Sequence, residues 1–402
     1  MNSHFSLNPA KRIELVDALR GFALSGILLL HSLEHFDFLW NAELNPAFFK
    51  SIDPYTDNIV RFLFSGKAYS IFSIMFGFSF FIQMDRNRNR GIDFSLRFLW
   101  RLTILLALGY LHSLVYIGDI LTIYALMGIP LVLFYRLNKK TLIWLSVLLV
   151  LQIPTIYNLV ISYLYPGFEY HRTFGRGLYS TAFRIFAEGS FADVVKFNMW
   201  KGHIAVISWT YYNGRYLQLL GLFIAGLTIG KSRFFENVDK NKKLILKVFI
   251  ISILTFAVLY TLFLILPKIE MPDSRLRLFR TLVKSYADLA FTTLLITSFI
   301  IIYQYLKGKI SFTLLASYGR MSLTSYVLQP LIGVPLFYGF GFALYRYFGV
   351  TLSVIYGLLF LLIQLAFCRI WFRYFRYGPL EWLWRAITFL DFKIKIRKQS
   401  DR

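Results

Sequence analysis

Residues 19–35, LRGFALSGILLLHSLEH, form an apolar run of membrane-spanning length that also holds side chains able to do chemistry. Arg20 stands at its start, and His31, Glu34 and His35 stand near its end. An ionisable group within hydrocarbon is costly unless it is paired, so such groups indicate a binding site or a water-filled cavity. A guanidinium binds phosphate or carboxylate through parallel hydrogen bonds, and an imidazole takes up a proton near neutral pH. The run therefore predicts an anion-binding end and a titratable end.

Arg20 and His31 lie on one face of the predicted helix. They are eleven residues apart, which is three turns plus ~20° of rotation and ~16 Å along the axis. An elongated anion that reached the helix from the cytoplasm could contact both, with His31 at or beyond the middle of a ~30 Å hydrocarbon layer. A structural interpretation stays open: Arg20 can extend to the membrane surface, and His31 can be a hydrogen-bonded core residue.

The letters HSLEH also match a zinc-ligand pattern. H-x-x-E-H places His31 and His35 one helical turn apart, with Glu34 beside them. Such a site needs a further ligand and access to water, and a five-residue match in 402 residues is weak. The single cysteine, Cys368, excludes a disulfide framework or a thiolate cluster. We therefore expect no metal.

A second histidine competes with His31 for the role of catalytic base. His112 lies in GYLHSLVYIGD, with Tyr116 at i+4 and Asp119 at i+7, so the three polar groups share a face if the helix continues. Asp119 could then orient the imidazole and stabilise its charged form, as the acid of a catalytic triad does. The alternative is that residues 118–119 make a tight turn between two spans and that His112 bonds to a backbone carbonyl.

Other basic residues are candidates for binding an anionic ligand. Lys67 lies within a predicted span, where it needs a carboxylate or a phosphate. It begins a stripe with Ser70, Ser73 and Gly77, whose small side chains allow close helix packing. Three arginines near the predicted cytoplasmic ends of spans could bind phosphates or simply follow the positive-inside rule; they are Arg97, Arg101 and Arg320.

A different role is predicted for one charged pair near the C terminus. Glu381 and Arg385 stand four residues apart, and this spacing predicts an ion pair on one helix face.

These residues must be positioned by membrane helices. Of the 402 residues 57% are hydrophobic, and the mean hydropathy is +0.56, above the roughly 45–50% apolar content of soluble domains. We predict an all-α, polytopic bundle of about ten transmembrane helices. We expect the first span to be retained, because no cleavable signal pattern opens the chain. The predicted spans lie near 19–36, 58–83, 98–115, 118–135, 141–164, 204–230, 244–266, 283–305, 312–332 and 350–372.

The net charge of +23 follows from the placement of the basic residues. Lys and Arg, 44 in all against 21 Asp and Glu, cluster at every second connection. This positive-inside pattern places both termini in the cytoplasm and accounts for most of the charge, so we expect no nucleic-acid partner. Residues 165–202 and 267–284, predicted to lie outside, also carry Arg and Lys and weaken the pattern locally.

The chain is predicted to be one membrane domain over residues 1–402, since we find no linker, low-complexity segment or clear internal repeat. Within it, residues 1–164 form the N-terminal helices with the candidate site. Residues 165–203 have apolar positions at helical spacing beside charges, which is typical of an amphipathic segment on the outer surface. Residues 204–402 form the C-terminal part.

Several segments resemble the YeiB family of bacterial membrane proteins, and the last two resemble its C-terminal domain of unknown function 418. They are RIELVDALRGFALSGILL (12–29), GKAYSIFSIMFGFSFF (66–81), GYLHSLVYIGDILTIYALMGIPL (109–131), YGRMSLTSYVLQPLIG (318–333) and FRYGPLEWLWRAITF (375–389). The resemblance implies the bacterial plasma membrane and a distant relationship to transmembrane acyltransferases of the acyltransferase-3 and heparan acetyltransferase type. In acyltransferase-3 proteins an Arg, ten residues and a His on the first span are the active-site signature, which Arg20 and His31 match.

We therefore expect an acyltransferase whose donor is a cytoplasmic acyl-CoA. The basic candidates named above would bind its phosphates, and His31 or His112 would deprotonate an acceptor hydroxyl or amine on the outer side. The acceptor could be a cell-surface glycan, a lipid or a small molecule. A transporter or flippase is the alternative, in which the same buried polar residues form a substrate or proton path. In either case the lipid bilayer is a partner.

Overall fold

A computed structural model describes residues 13–36, 42–165 and 167–398, with His35 described by its backbone alone. The regular elements of these ranges are helices, and the ranges contain no β-strand, only an isolated bridge between Phe375 and Arg397. Helices α1 to α18 are Glu14–His31, Ala47–Phe64, Ala68–Arg88, Ser95–Val115, Leu121–Gly128, Leu131–Phe134, Lys139–Val150, Ile153–Leu164, Leu178–Glu188, Phe191–Phe197, His203–Tyr212, Arg215–Lys231, Lys242–Ile265, Asp273–Leu306, Thr313–Arg320, Ser322–Phe337, Val350–Tyr374 and Pro379–Phe389. Short π-helical turns cover Ser32–Phe36 and Asn198–Gly202, and 3₁₀ turns cover Leu266–Lys268 and Leu344–Arg346.

The predicted all-α membrane bundle is confirmed. Within the described ranges, six helical segments are long and apolar enough to cross a membrane, or seven if α7 and α8, bent by 47°, form one span. The six segments are Glu14–Glu34, Ala47–Arg88, Ser95–Val115, Lys242–Lys268, Asp273–Leu306 and Val350–Tyr374. The count of about ten spans and the cytoplasmic termini stay predictions.

Several predicted spans are interrupted helices, so they do not form one continuous helix of membrane-spanning length. The predicted span 141–164 breaks between α7 and α8 at Gln152, which adopts a left-handed conformation with φ 55°. The span 204–230 breaks at Gly214, with φ 64°. The span 118–135 divides into α5 and α6 at Pro130, and the span 312–332 divides at Met321. Apolar composition alone did not reveal these breaks.

Close helix packing holds the centre of the bundle together. Gly77 of α3 lies against the backbone of α12, and Gly226 of α12 lies against the backbone of α3, so a methyl group at either position would overlap a carbonyl. The predicted small-residue stripe on α3 is thereby confirmed at Gly77. On the other side α1, most of whose residues are buried, packs against α15 through a similar pair, Gly21 and Gly319.

The periphery has the opposite character. Helix α13 buries few of its residues and exposes apolar side chains such as Leu254 and Val258, as expected of a lipid-facing helix. By contrast, the segment predicted to be amphipathic over 165–203 buries part of its apolar side chains against the protein. It forms α9 and α10, and Ala182 and Phe186 pack in a cluster with Tyr116 and Tyr338. These two helices cover the end of the bundle at which α1 and α4 finish.

Candidate active site

His112 and Asp119 form a buried hydrogen-bonded pair. Helix α4 ends at Val115, and the turn that follows returns Asp119 to His112, so that Nδ1 lies 2.8 Å from Oδ1. The helix does not continue to Asp119 as the spacing argument assumed; the turn, proposed as the alternative, makes the contact. The second carboxylate oxygen, Oδ2, accepts from the backbone N–H and the hydroxyl of Thr122 at 3.0 and 2.8 Å.

This pairing leaves one nitrogen of His112 available. Because a carboxylate accepts at Nδ1, that nitrogen carries a proton, and in the neutral imidazole the lone pair is then on Nε2. His112 is only 6% exposed, and its Nε2 has no hydrogen-bond partner among the described residues. The arrangement is that of a general base held in one tautomer by its aspartate.

His31 is also buried, and it bonds to a carboxamide. Nδ1 donates to Oε1 of Gln329 on α16 at 3.0 Å. The amide nitrogen of Gln329 donates in turn to the hydroxyl of Tyr318 at 3.4 Å, and that hydroxyl donates to Gln364 at 2.7 Å. The chain of donors fixes the carbonyl of Gln329 toward His31, so this contact gives His31 a defined orientation.

Two tyrosine rings bring the histidines together. Tyr116 lies 5.2 Å from the ring of His31 and 5.7 Å from the ring of His112, measured between centroids. Tyr326 lies 5.6 and 5.4 Å from the same two rings. Its hydroxyl accepts from the backbone N–H of Ile120 at 3.0 Å. Histidines from α1 and α4 therefore belong to one polar and aromatic cluster.

A cavity of about 1090 Å³ ends beside this cluster. One end is polar and lined by Arg20, Arg101 and Arg320 among others, and the other end is apolar and reaches Ile120 and Tyr326. The polar end also holds carboxylates, one of which, Asp85, pairs with Arg233 at 2.6 Å. The histidines and Asp119 are not among the described lining residues. The Tyr326 ring stands between the cavity and the imidazoles.

Arg20 lines the polar end while making internal contacts. Its guanidinium lies 3.0 Å from Asp17, 2.8 Å from the hydroxyl of Ser79 and 3.3 Å from the carbonyl of Gly319. The ion pair does not seal the region, because both Arg20 and Asp17 border the cavity. Arg20 is therefore oriented by α1, α3 and α15 and faces open space.

The remaining basic candidates fall into two groups. Arg101 lies over the ring of Trp384 at 3.6 Å, and Arg320 lies over the ring of Phe372 at 4.1 Å. Both line the cavity.

Arg97 and Lys67 are placed elsewhere, since neither is among the described residues that border the cavity. Arg97 is exposed and lies over Phe389. Lys67 is buried and pairs with Asp288 at 2.8 Å; Asp288 also binds Lys284.

Sequence reasoning missed a repeated spacing. Arg101 and His112 are eleven residues apart on α4, as Arg20 and His31 are on α1. Each helix thus places an arginine at the polar end of the cavity and a histidine ~16 Å further along its axis. The roles of Gln329 and Tyr326 were also missed, although the unusual polarity of 318–333 was a usable signal.

The carboxylate of the H-x-x-E-H pattern forms an ion pair with an arginine. Glu34 lies 2.7 Å from Arg61 of α2, and the side chain of His35 lies outside the described residues. In the described part of the chain, no group of three or more His, Cys, Asp or Glu could hold a metal ion.

The predicted ion pair between Glu381 and Arg385 is wrong. Glu381 accepts from the backbone N–H groups of Leu323 and Thr324 at 2.7 and 3.1 Å, and so caps α16 instead. Orphan N–H groups at a helix start compete for a carboxylate.

Comparison with known proteins supports the resemblance to the YeiB family. Residues 229–391, from the end of α12 to the end of α18, match the family described as "Protein of unknown function (DUF418)". Over 395 residues the chain is 27% identical to the uncharacterised protein YeiB of Escherichia coli (strain K12), covering 93% of this chain and 95% of YeiB. It is also 27% identical to the uncharacterised protein YxaH of Bacillus subtilis (strain 168), over 96% of this chain and 98% of YxaH.

The match to the family model covers only part of the site. Arg320, Tyr326, Gln329 and Glu381 lie within the matched residues, which fall inside the predicted C-terminal part, 204–402. The N-terminal helices, with the two histidines, lie within the longer similarity to YxaH and YeiB. The names of YxaH and YeiB state no reaction.

Proposed function

We propose that the protein is a membrane acyltransferase that moves an acyl group from acyl-CoA to a hydroxyl or amine. One observation carries the proposal. A large cavity runs from a cluster of arginines to the neighbourhood of an aspartate-held histidine whose Nε2 is unpartnered within the described chain. An anionic donor with a long uncharged arm fits such a gradient from polar to apolar walls.

Donor binding follows from the two ends of the cavity. Arg20, Arg101 and Arg320 would bind phosphate oxygens, because guanidinium forks match them well. The pantetheine arm and acyl chain would lie along the apolar walls toward Tyr326. The axial separation of ~16 Å between arginine and histidine on α1 and on α4 suits a phosphate at one end and a thioester at the other.

The proposed chemistry is direct transfer. The acceptor O–H or N–H gives its proton to Nε2 of His112 while its heavy atom attacks the thioester carbonyl carbon. Asp119 stabilises the imidazolium that forms. The tetrahedral intermediate then collapses, the C–S bond breaks, and the departing sulfur takes the proton from His112. The products are an ester or amide and free CoA thiol.

The two histidines take different roles in this proposal. His112 is the base because a carboxylate supports its charge. His31, held by a carboxamide, binds the acceptor. For the thioester to reach Nε2, the ring of Tyr326 must rotate away from the end of the cavity as the donor fills it.

Orientation is part of the proposal. The arginine-rich end would face the cytoplasm under the positive-inside rule, which places both termini there and the covered histidine end toward the outside of a bacterial cell membrane. The acceptor would then be a cell-surface glycan, a lipid or a small molecule that reaches the histidines from the outer side.

The test uses the full chain, purified and placed in nanodiscs. Acyl-CoA is supplied with candidate acceptors, and the release of free thiol is measured. We expect release by the wild type and by His171→Gln, which alters a histidine that is 66% exposed, and loss of release in His112→Gln. Equal release by His112→Gln and the wild type would refute the assignment of the base.

A second candidate is a transporter, which a separate group of charges favours. Lys67 and Asp288 form a largely buried ion pair away from the cavity, and the exposed Lys284 also binds Asp288. Broken helices, as at Gln152 and Gly214, are typical of transporter folds. A transporter would accumulate its ligand in vesicles without consuming acyl-CoA. Uptake with no thiol release would favour this function over the first.

A further inference from the structure

A second, smaller cavity of about 170 Å³ adjoins the polar end of the large one. The two share Arg101, Arg320 and Glu381. Arg376 and Arg385, from the C-terminal segment, complete a ring of four guanidinium groups around the small cavity. Its volume equals that of roughly ten water sites, which is enough for a small anion together with water.

The carboxylate at this cavity is bonded to the start of a helix and forms no ion pair with Arg101 or Arg385. Glu381 accepts hydrogen bonds from the backbone of Leu323 and Thr324 and from the hydroxyl of Thr324, the last at 2.6 Å. Within the described ranges, Arg101 and Arg385 have no carboxylate within ion-pair distance. Guanidinium groups that share one small space repel each other, and an anion bound there reduces that repulsion.

Aromatic rings hold the guanidinium groups in place without occupying their donors. Arg101 lies over Trp384 at 3.6 Å, and Arg385 lies over Tyr377 at 5.3 Å. Cation–π contact orients a guanidinium face while its N–H edge stays available. The Nε atoms of Arg101 and Arg385 are buried and lack a hydrogen-bond partner in the described structure. These two donors are therefore oriented, desolvated and unused.

We infer that this small cavity is a binding site for a phosphate group, distinct from the contacts at Arg20. A phosphate group supplies several acceptor oxygens and one or two negative charges, which matches a ring of guanidinium donors better than a carboxylate does. The phosphate belongs either to a soluble nucleotide-containing ligand or to a lipid headgroup. In the first case the inference rests on the proposed function, and the site binds the terminal phosphate monoester of the CoA donor.

The test compares ligands that differ by one phosphate. Purified protein in zwitterionic nanodiscs is titrated with CoA, with dephospho-CoA and with inorganic phosphate. We expect Arg385→Gln to weaken binding of CoA about tenfold or more and to leave dephospho-CoA unchanged. Arg97→Gln, which alters an exposed arginine on α4 outside the cavity, should change neither. Arg385→Lys keeps the charge and serves as a variant that preserves folding.

The remaining outcomes separate the two sources of phosphate. If Arg385→Gln leaves CoA binding intact but lowers the amount of phosphatidylglycerol that co-purifies with the protein, the site holds a lipid headgroup and the inference stands. The inference is overturned if inorganic phosphate does not bind and Arg385→Gln changes neither the binding of CoA nor the amount of co-purifying phosphatidylglycerol. Acyl transfer at equal rates from acyl-CoA and its dephospho analogue would show that the small cavity does not bind the phosphate monoester of the donor. The proposed acyltransferase function would stay in place.

Discussion

The two histidines of the site occupy matching positions but have different partners. His31 on α1 and His112 on α4 each follow, by eleven residues, an arginine that lines the same cavity. Both contact the rings of Tyr116 and Tyr326. His112, however, is bonded to a carboxylate, and His31 is bonded to a carboxamide. The comparison shows that helical spacing decides where an imidazole lies, while its partner decides what it can do.

The physical difference lies in the charged state. A hydrogen bond to a charged group contributes about 1.5–3 kcal/mol, against about 0.5–1.5 kcal/mol for a neutral one. A proton taken up by His112 turns its bond to Asp119 into a charged pair. This contact is the reason for assigning the role of base to His112.

Replacement of each histidine in turn should give the largest difference in the rate of thiol release. We expect His112→Gln to lower the rate of thiol release from acyl-CoA by on the order of 10²–10⁴-fold. His31→Gln should instead raise the acceptor concentration needed for half-maximal rate and lower the maximal rate less. Steady-state kinetics with a varied acceptor separates the two. A greater loss of maximal rate in His31→Gln would reverse the assignment.

The next pair of variants changes the hydrogen-bond partners of the two histidines. Asp119→Asn removes the carboxylate that holds His112 in one tautomer, so we expect a loss on the order of 10²-fold or more. Gln329→Glu gives His31 a carboxylate partner. In a His112→Gln background this change should restore a measurable part of the rate if the partner determines the base. Thiol release by the double variant checks this expectation, and a rate no higher than that of His112→Gln alone would contradict it.

A smaller effect is expected at the ring between the cavity and the histidines. Tyr326→Ala should join the two spaces and let water reach the thioester, so that thiol release no longer depends on acceptor. Tyr326→Phe keeps the ring but leaves the N–H of Ile120 without its acceptor, and should cost about 1 kcal/mol of stability. The ratio of thiol released to acylated product measures the leak. A ratio of one in Tyr326→Ala would show that the ring is no barrier.

The smallest effect concerns stability near the C terminus. Burial raises the pKa of Glu381, which lies on α18 after the last span, above its ordinary value of 4.5. A carboxyl group with a raised folded pKa stabilises the fold at pH values below 4.5 and loses that contribution as the pH rises through the raised value. Glu381→Gln should therefore flatten the pH dependence of the melting temperature just above pH 4.5. An unchanged slope would indicate that Glu381 does not titrate in this window.

Local patterns in the sequence predicted much of this arrangement. Apolar runs predicted a helical membrane bundle, and the spacing of His112 and Asp119 predicted their contact, although through a helix that in fact ends at Val115. The burial of His31 also followed from its position in a membrane-length run. These are features of short stretches of chain.

Long-range contacts could not be predicted in the same way. Gln329 meets His31 across 298 residues of sequence, and the four arginines of the small cavity come from α4, from α15 and from the last part of the chain. The pairing of Glu381 was wrong because a local rule was applied where backbone N–H groups of a distant helix were stronger competitors. Side-chain partners across a bundle depend on helix rotation and breaks, which composition does not specify.

The most direct test of the central claim asks whether the donor's acyl carbon reaches His112. In a Cys368→Ser background, His112→Cys is treated with bromoacetyl-CoA, and alkylation is located by mass spectrometry. Leu111→Cys is the matched control, since Leu111 is the neighbouring residue and is 62% exposed. We predict rapid alkylation at position 112 that excess CoA suppresses, and little CoA-sensitive alkylation at position 111. Absence of CoA-sensitive alkylation at position 112 would contradict it.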